Sequence, residues 1–120
     1  MADSTPVISM DLALGHLRED AGVADTLIQT YVNAATLAAA NFLNRSIYGS
    51  DADMEAAIAD ETAGDDPIVA DDVIRAAVLL TLGKLYSYRE DVVAGTSTSV
   101  IELPGGAKAL LFPYRVGLGV

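Results

Sequence analysis

Few residues in this chain have both the type and the spacing that chemistry requires. His16 is the single histidine, and no cysteine is present for it to activate. A surface or helix-capping imidazole is the simpler reading of it than a general base. Asp51, Asp53 and Glu55 repeat the opening spacing of a calcium loop. That loop needs glycine at its sixth position and a bidentate glutamate at its twelfth, where this chain has Ala56 and Thr62. A solvated acidic surface is therefore expected, with no metal. The acid pairs Asp65-Asp66 and Asp71-Asp72 are neighbours in sequence, and adjacent side chains on a helix splay apart instead of converging on a substrate. The hydroxyls of Thr96-Ser97-Thr98-Ser99 lack the flanking glycines of a nucleophile elbow. Gly105-Gly106 follows Pro104 and reads as a turn, not a phosphate cradle. The residues point away from an enzyme, and no cofactor is implied.

The elements that would position such residues centre on Val69 to Asp91. This stretch runs as a helix of about six turns, and the eight residues AAVLLTLG between Arg75 and Lys84 carry no charge. On a wheel, Ala77, Leu80 and Tyr88 share one side, while Leu79, Leu82 and Tyr86 lie nearly opposite. A helix apolar almost all round is buried all round. It is either the centre of a small bundle, or a helix with one side in its own core and the other on a second subunit. Periodicity does not separate the two. In the second case Leu80 supports the fold, and Leu79, Leu82 and Tyr86 meet the neighbour.

Three more helices are expected before it. Ser9 caps a short one from Met10 to about Arg18, with Asp11 near its positive end and Leu12, Leu14 and Leu17 on its buried side. The next, from about Val23 to Leu43, buries a stripe of Leu27, Ile28, Tyr31, Ala34, Ala35, Ala38, Ala39 and Phe42. After a turn at Tyr48-Gly49-Ser50, Asp51 to Glu61 forms a short helix with Met54, Ala57 and Ile58 on one face. Past Asp91 the chain reads as extended, with Val100, Ile101 and Leu103 able to pair as a strand. Ala107 to Phe112 adds a helical turn or two before Pro113. The expected fold is all-α: a helical bundle over residues 1–91, with an extended arm and C-terminal docking segment of the same domain over 92–120.

Composition sets outer limits. A chain of 120 residues is long enough for one core, and 52% hydrophobic residues exclude compositional disorder. The acidic N-terminus is not a secretory signal, and no apolar run reaches the roughly 20 residues of a bilayer span. A soluble protein made in a cytoplasm is expected, with no membrane partner. Net charge is −10, and nine of the 17 acids fall between Asp51 and Asp72, a window without Lys or Arg. Gripping DNA needs clustered cations, and the seven here are scattered.

The order of segments resembles the head–tail connector (adaptor) proteins of long-tailed double-stranded DNA phages. The segments are DLALGHLRED, a long helix ending in FLNR, VIRAAVLLTLGKLYSYRED, and IELPGGAKALLFPYR. Within them the specific parts are Leu17-Arg18, Leu85-Tyr86 with Arg89-Glu90, Leu103-Pro104, Leu110-Leu111 and Pro113-Tyr114-Arg115. The acidic stretch 51–66 departs from the pattern by its length. The resemblance implies a virion protein of the capsid neck, made in the bacterial host. It assembles as a ring, usually twelvefold, under the portal protein, and meets a stopper or tail-terminator protein on its other side. The ring extends the channel through which genomic DNA passes without tight binding. Such proteins carry no cofactor and catalyse nothing. Leu103, Leu110, Leu111, Phe112, Tyr114 and Arg115 would then dock on the portal, adding little to the domain itself. Folding back onto the bundle is the competing reading of that segment. A monomeric acidic module, such as an inhibitor whose surface mimics DNA, is the alternative to the connector, and a metal-dependent enzyme using the 51–61 carboxylates is a third class.

Overall fold

The computed structural model describes residues 6–22, 24–87 and 103–116. The expected strand at Val100 and Ile101, the Thr/Ser run 96–99 and the end of the central helix beyond Ser87 lie outside the described residues.

Helix α1 (Met10–Leu17) begins where the Ser9 hydroxyl accepts the Leu12 N–H at 3.1 Å, with Asp11 in its first turn. It ends at Arg18, whose φ of 59° is left-handed. Helix α2 (Asp25–Leu43) buries Ile28, Tyr31, Val32, Ala35, Ala39 and Leu43. Leu27, expected inside, is 38% exposed, and Val32 is buried in its place. The stripe is rotated because the segment Val7-Ile8, itself buried, joins the core cluster with Val32.

After α2 the chain makes a short β–α–β unit that periodicity does not reveal. Strand β1 (Ile47–Tyr48) pairs in parallel with β2 (Ile68–Val69), Ile47 opposite Ile68. Parallel strands need a crossover, and helix α3 (Asp51–Ala59) supplies it, capped by Ser50 on the Asp53 N–H at 3.2 Å. No side chain of α3 is buried, and Ile58 is 52% exposed.

Helix α4 (Asp72–Ser87) is the centre of the bundle, packing on α1 and α2 and on α5 (Gly105–Leu111). A single 3-10 turn, Phe112–Tyr114, follows α5. The buried side chains of α4 are Ile74, Ala77, Val78, Thr81, Leu82 and Leu85, with the Thr81 hydroxyl donating to the Ala77 carbonyl at 3.0 Å. The all-α bundle is therefore as expected, with one minor sheet.

Two expectations are corrected here. Helix α4 is not buried all round: Val73, Leu80, Lys84 and Ser87 make an exposed strip. Leu80, expected in the core, is 42% exposed, while Leu82, expected at a subunit contact, is fully buried. An apolar helix carries no phase information, so the positions of α1, α2 and α5 decide which side is covered. The second correction concerns residues 103–116. Leu103, Ala107 and Leu111 belong to the core, and burying each leucine is worth roughly 2 kcal/mol. Residues 103–111 thus take the fold-back reading, with α5 completing the bundle on α4.

Candidate interaction surface

The residues with catalytic potential are not brought together. His16 is exposed in the last turn of α1. It lies beside Gly83 of α4, where an added Cβ would come within 3.2 Å of its Nε2. Gly105-Gly106 opens α5 instead of forming a turn. Asp51 and Glu55 are exposed on α3, with Asp53 half-buried. Among the described residues no group of three or more His, Asp or Glu side chains is placed to hold a metal ion. The adjacent acids have separate structural roles. Asp72 pairs with Arg75 at 3.3 Å. Asp71 caps α4 by accepting the Ile74 N–H at 2.9 Å, and also accepts the Tyr114 hydroxyl at 2.7 Å. The Ile74 N–H, against the opposing effect of desolvation and with help from Tyr114 and the Val73 N–H, holds the Asp71 carboxyl below its ordinary value. The hydrogen bond to Asp71, with slight burial and the charge of that carboxylate, raises the Tyr114 phenol above its own.

What the structure does assemble is a clamp between the end of α2 and the residues after α5. The last carbonyls of a helix lack intrahelical partners. Here the Arg115 Nε donates to the Phe42 carbonyl at 2.7 Å, and the Val116 N–H donates to that of Leu43 at 3.1 Å. A cation at this end also meets the negative pole of the helix. The Arg115 guanidinium lies 4.4 Å from the centroid of the Phe42 ring. Arg45, just past the left-handed Asn44 (φ 58°), donates Nε to the Asp66 carbonyl at 2.8 Å and Nη1 to the Tyr114 carbonyl at 3.2 Å. It ties three distant segments. Sequence reasoning passed over Arg45, although a cation beside a helix C-terminus is itself a signal.

These contacts leave one face with unsatisfied apolar surface. Gly106 lies beside Leu80, since a Cβ on it would sit 3.5 Å from the Leu80 Cδ1, and Tyr114 reaches back to Asp71. Helix α5 thus runs antiparallel to α4, and the 3-10 turn lies near the start of α4. Val73 and Leu80, seven residues apart on α4, are 37% and 42% exposed, and Phe112, in the turn after α5, is 56% exposed. The residues expected at interfaces distribute differently. Of the subunit set, Leu82 is buried, Leu79 is half-buried, and Tyr86 is half-buried with its hydroxyl donating to Glu19 at 3.0 Å. Of the portal set, Leu103 and Leu111 are in the core, Leu110 is half-buried, and Tyr114 and Arg115 are engaged within the chain. Phe112 is the member of that set left exposed. No family model matches the chain, and no curated protein or solved structure matches it either.

Proposed function

We propose that the protein is a structural head–tail connector that forms a ring beneath a phage portal, extends the DNA channel and receives a stopper or tail-terminator protein. One observation carries the reading: the separate segments on which the resemblance rests are one another's partners in the fold. FLNR (42–45) holds PYR (113–115) through Arg115, Val116 and Arg45. The Glu19 of LRED accepts from the Tyr86 of KLYS. α5 of the LPGGAKALL segment packs on α4. The segments that carry the resemblance thus have a packing reason to occur together in this chain.

The ring contact falls on the α4–α5 face, where Val73, Leu80 and Phe112 give an assembled subunit apolar area to cover. The acidic charge supports a channel past which DNA slides, since phosphates find no clustered cations to hold them. The test is the native mass of the purified protein together with particle images, alone and with a portal protein. A ring of many chains that co-sediments with portal is the expected result. A one-chain mass with binding to a basic partner overturns the connector and favours the acidic module.

A further inference from the structure

Among the described residues, strand β1 has one used edge and one unused edge. The Ile68 N–H donates to the Ser46 carbonyl at 2.9 Å and the Ala70 N–H to the Tyr48 carbonyl at 2.8 Å. Alternate residues of a parallel strand bond to the same neighbour. Ser46 and Tyr48 therefore face β2, and the N–H and C=O of Ile47 point the other way. They meet no backbone partner there among the described residues. A groove of about 380 Å³ runs along that side, walled by Val7, Val32, Leu37 and Ile47 and rimmed by the amides of Gln29 and Asn33. No residue of β2 lines it, and a separate, polar groove lies beside Arg45 and Asp66. Leu37 stands at the lip, 62% exposed.

We propose that this groove takes an extended, cationic segment of a partner protein, added beside Ile47 as a third strand. The geometry selects the occupant. A free donor and acceptor on one strand residue are met by the backbone of another extended chain, whereas a helix has already used its own N–H and C=O groups. Side chains of an extended segment alternate in direction. One set enters the apolar trough between Val32 and Leu37, and the other faces solvent. The charge of the occupant follows from what comes next in the chain. Asp51, Asp53 and Glu55 open α3 directly after β1, and no Lys or Arg occurs from Ser46 to Asp72. Lysine or arginine in the outward set finds opposite charge there, and glutamate finds repulsion. This surface shares no residue with α4 or α5, so it stands or falls apart from the ring contact.

The experiment is fluorescence anisotropy of the full chain at physiological salt with three labelled heptapeptides: alternating valine and lysine, the same peptide N-methylated at alternate backbone amides, and alternating valine and glutamate. The valine–lysine peptide is expected to bind saturably. N-methylation, which keeps the charge but removes the strand-forming donors, is expected to weaken it about tenfold. The glutamate peptide is expected not to bind, and Leu37→Gln, at an exposed position that the fold tolerates, to weaken the first peptide about fivefold. Equal binding of the methylated peptide would mean that charge alone attracts it and overturns the proposal. So does binding of the glutamate peptide, an unchanged affinity in Leu37→Gln, or the absence of saturable binding by the valine–lysine peptide.

Discussion

The Arg115 guanidinium lies 4.4 Å from the centre of the Phe42 ring while its Nε donates to the carbonyl of the same residue at 2.7 Å. One side chain thus closes the end of α2 and covers its last aromatic ring. A charged hydrogen bond of this kind contributes about 1.5–3 kcal/mol, and the ring contact about 0.5–1. Partial exposure lowers the sum. Arg115→Ala is expected to lose about 2 kcal/mol in urea unfolding. Arg115→Lys should recover less than half of that, because an ammonium has no planar fork to serve both contacts. A loss below about 0.5 kcal/mol, the ordinary range for surface substitutions, would show that the clamp is idle.

Asp71 and Tyr114 set a pH window. The Asp71 carboxyl titrates below its ordinary 3.8 in the folded chain, so its contribution is present above that value and fades as pH falls through the lower folded one. The Tyr114 phenol titrates above its ordinary 10.0, so its contribution is complete below that and fades as pH rises through the higher folded one. The contact therefore supports the fold from about pH 4 to about pH 10. Asp71→Ala also removes the cap of α4 and should cost about 1 kcal/mol at neutral pH. Tyr114→Phe should flatten the alkaline limb of the stability curve relative to the parent protein. A parallel pair of curves across pH 9–12, a range chosen around the phenol's ordinary value of about 10, would refute the role given to Tyr114.

Leu80 and Leu82 separate folding from association. Leu82→Asp buries an unpaired carboxylate at a fully covered position, a cost of several kcal/mol, and is expected to unfold the chain. Leu80→Asp sits at a 42% exposed position and should leave the circular dichroism spectrum unchanged while reducing the sedimenting mass to that of one chain. If Leu80→Asp leaves assembly intact, the α4–α5 face is not the ring contact.

Gly83→Ala is expected to stabilise. Glycine inside a helix costs about 1 kcal/mol relative to alanine. The new Cβ would meet the His16 Nε2 at 3.2 Å, which is the tip of an exposed side chain free to swing away. A gain of about 0.5–1 kcal/mol in urea unfolding is the expected outcome. A loss would mean that His16 is held in place by the fold.

The helices were legible wherever a cap coincided with a pattern. Ser9 marks α1, because a hydroxyl ahead of an acidic first turn has one local use; Ser50 has the same placement before α3 but was read only as part of a turn. The start of α4 was placed too early because Ile68-Val69, which continue its apolar run, belong to a strand of two residues, too short for alternation to register. The exposed side of α4 was illegible because AAVLLTLG is apolar in every direction. Tyr114 and Arg115 were singled out by type as anchors on a partner, and the structure engages both within the chain. Their targets, Asp71 and Phe42, lie 43 and 73 residues away in sequence, and nothing local announces a pairing at that range. The groove beside Ile47 was missed for the same reason: it exists only where the N-terminal segment, α2 and β1 meet.

The return of Leu103 to Leu111 into the core also has a temporal consequence. A ribosome delivers α1, α2 and α4 before α5, so the core around α4 waits for part of its cover, Leu103, Ala107 and Leu111, to be made. Stable structure is expected to arrive in one late step as residues 103–116 emerge, and not to accumulate helix by helix. Protease pulses on stalled nascent chains should find resistance only once Arg115 has cleared the tunnel. If the proposed ring forms through exposed apolar side chains, such timing would keep half-made chains from joining before they are finished.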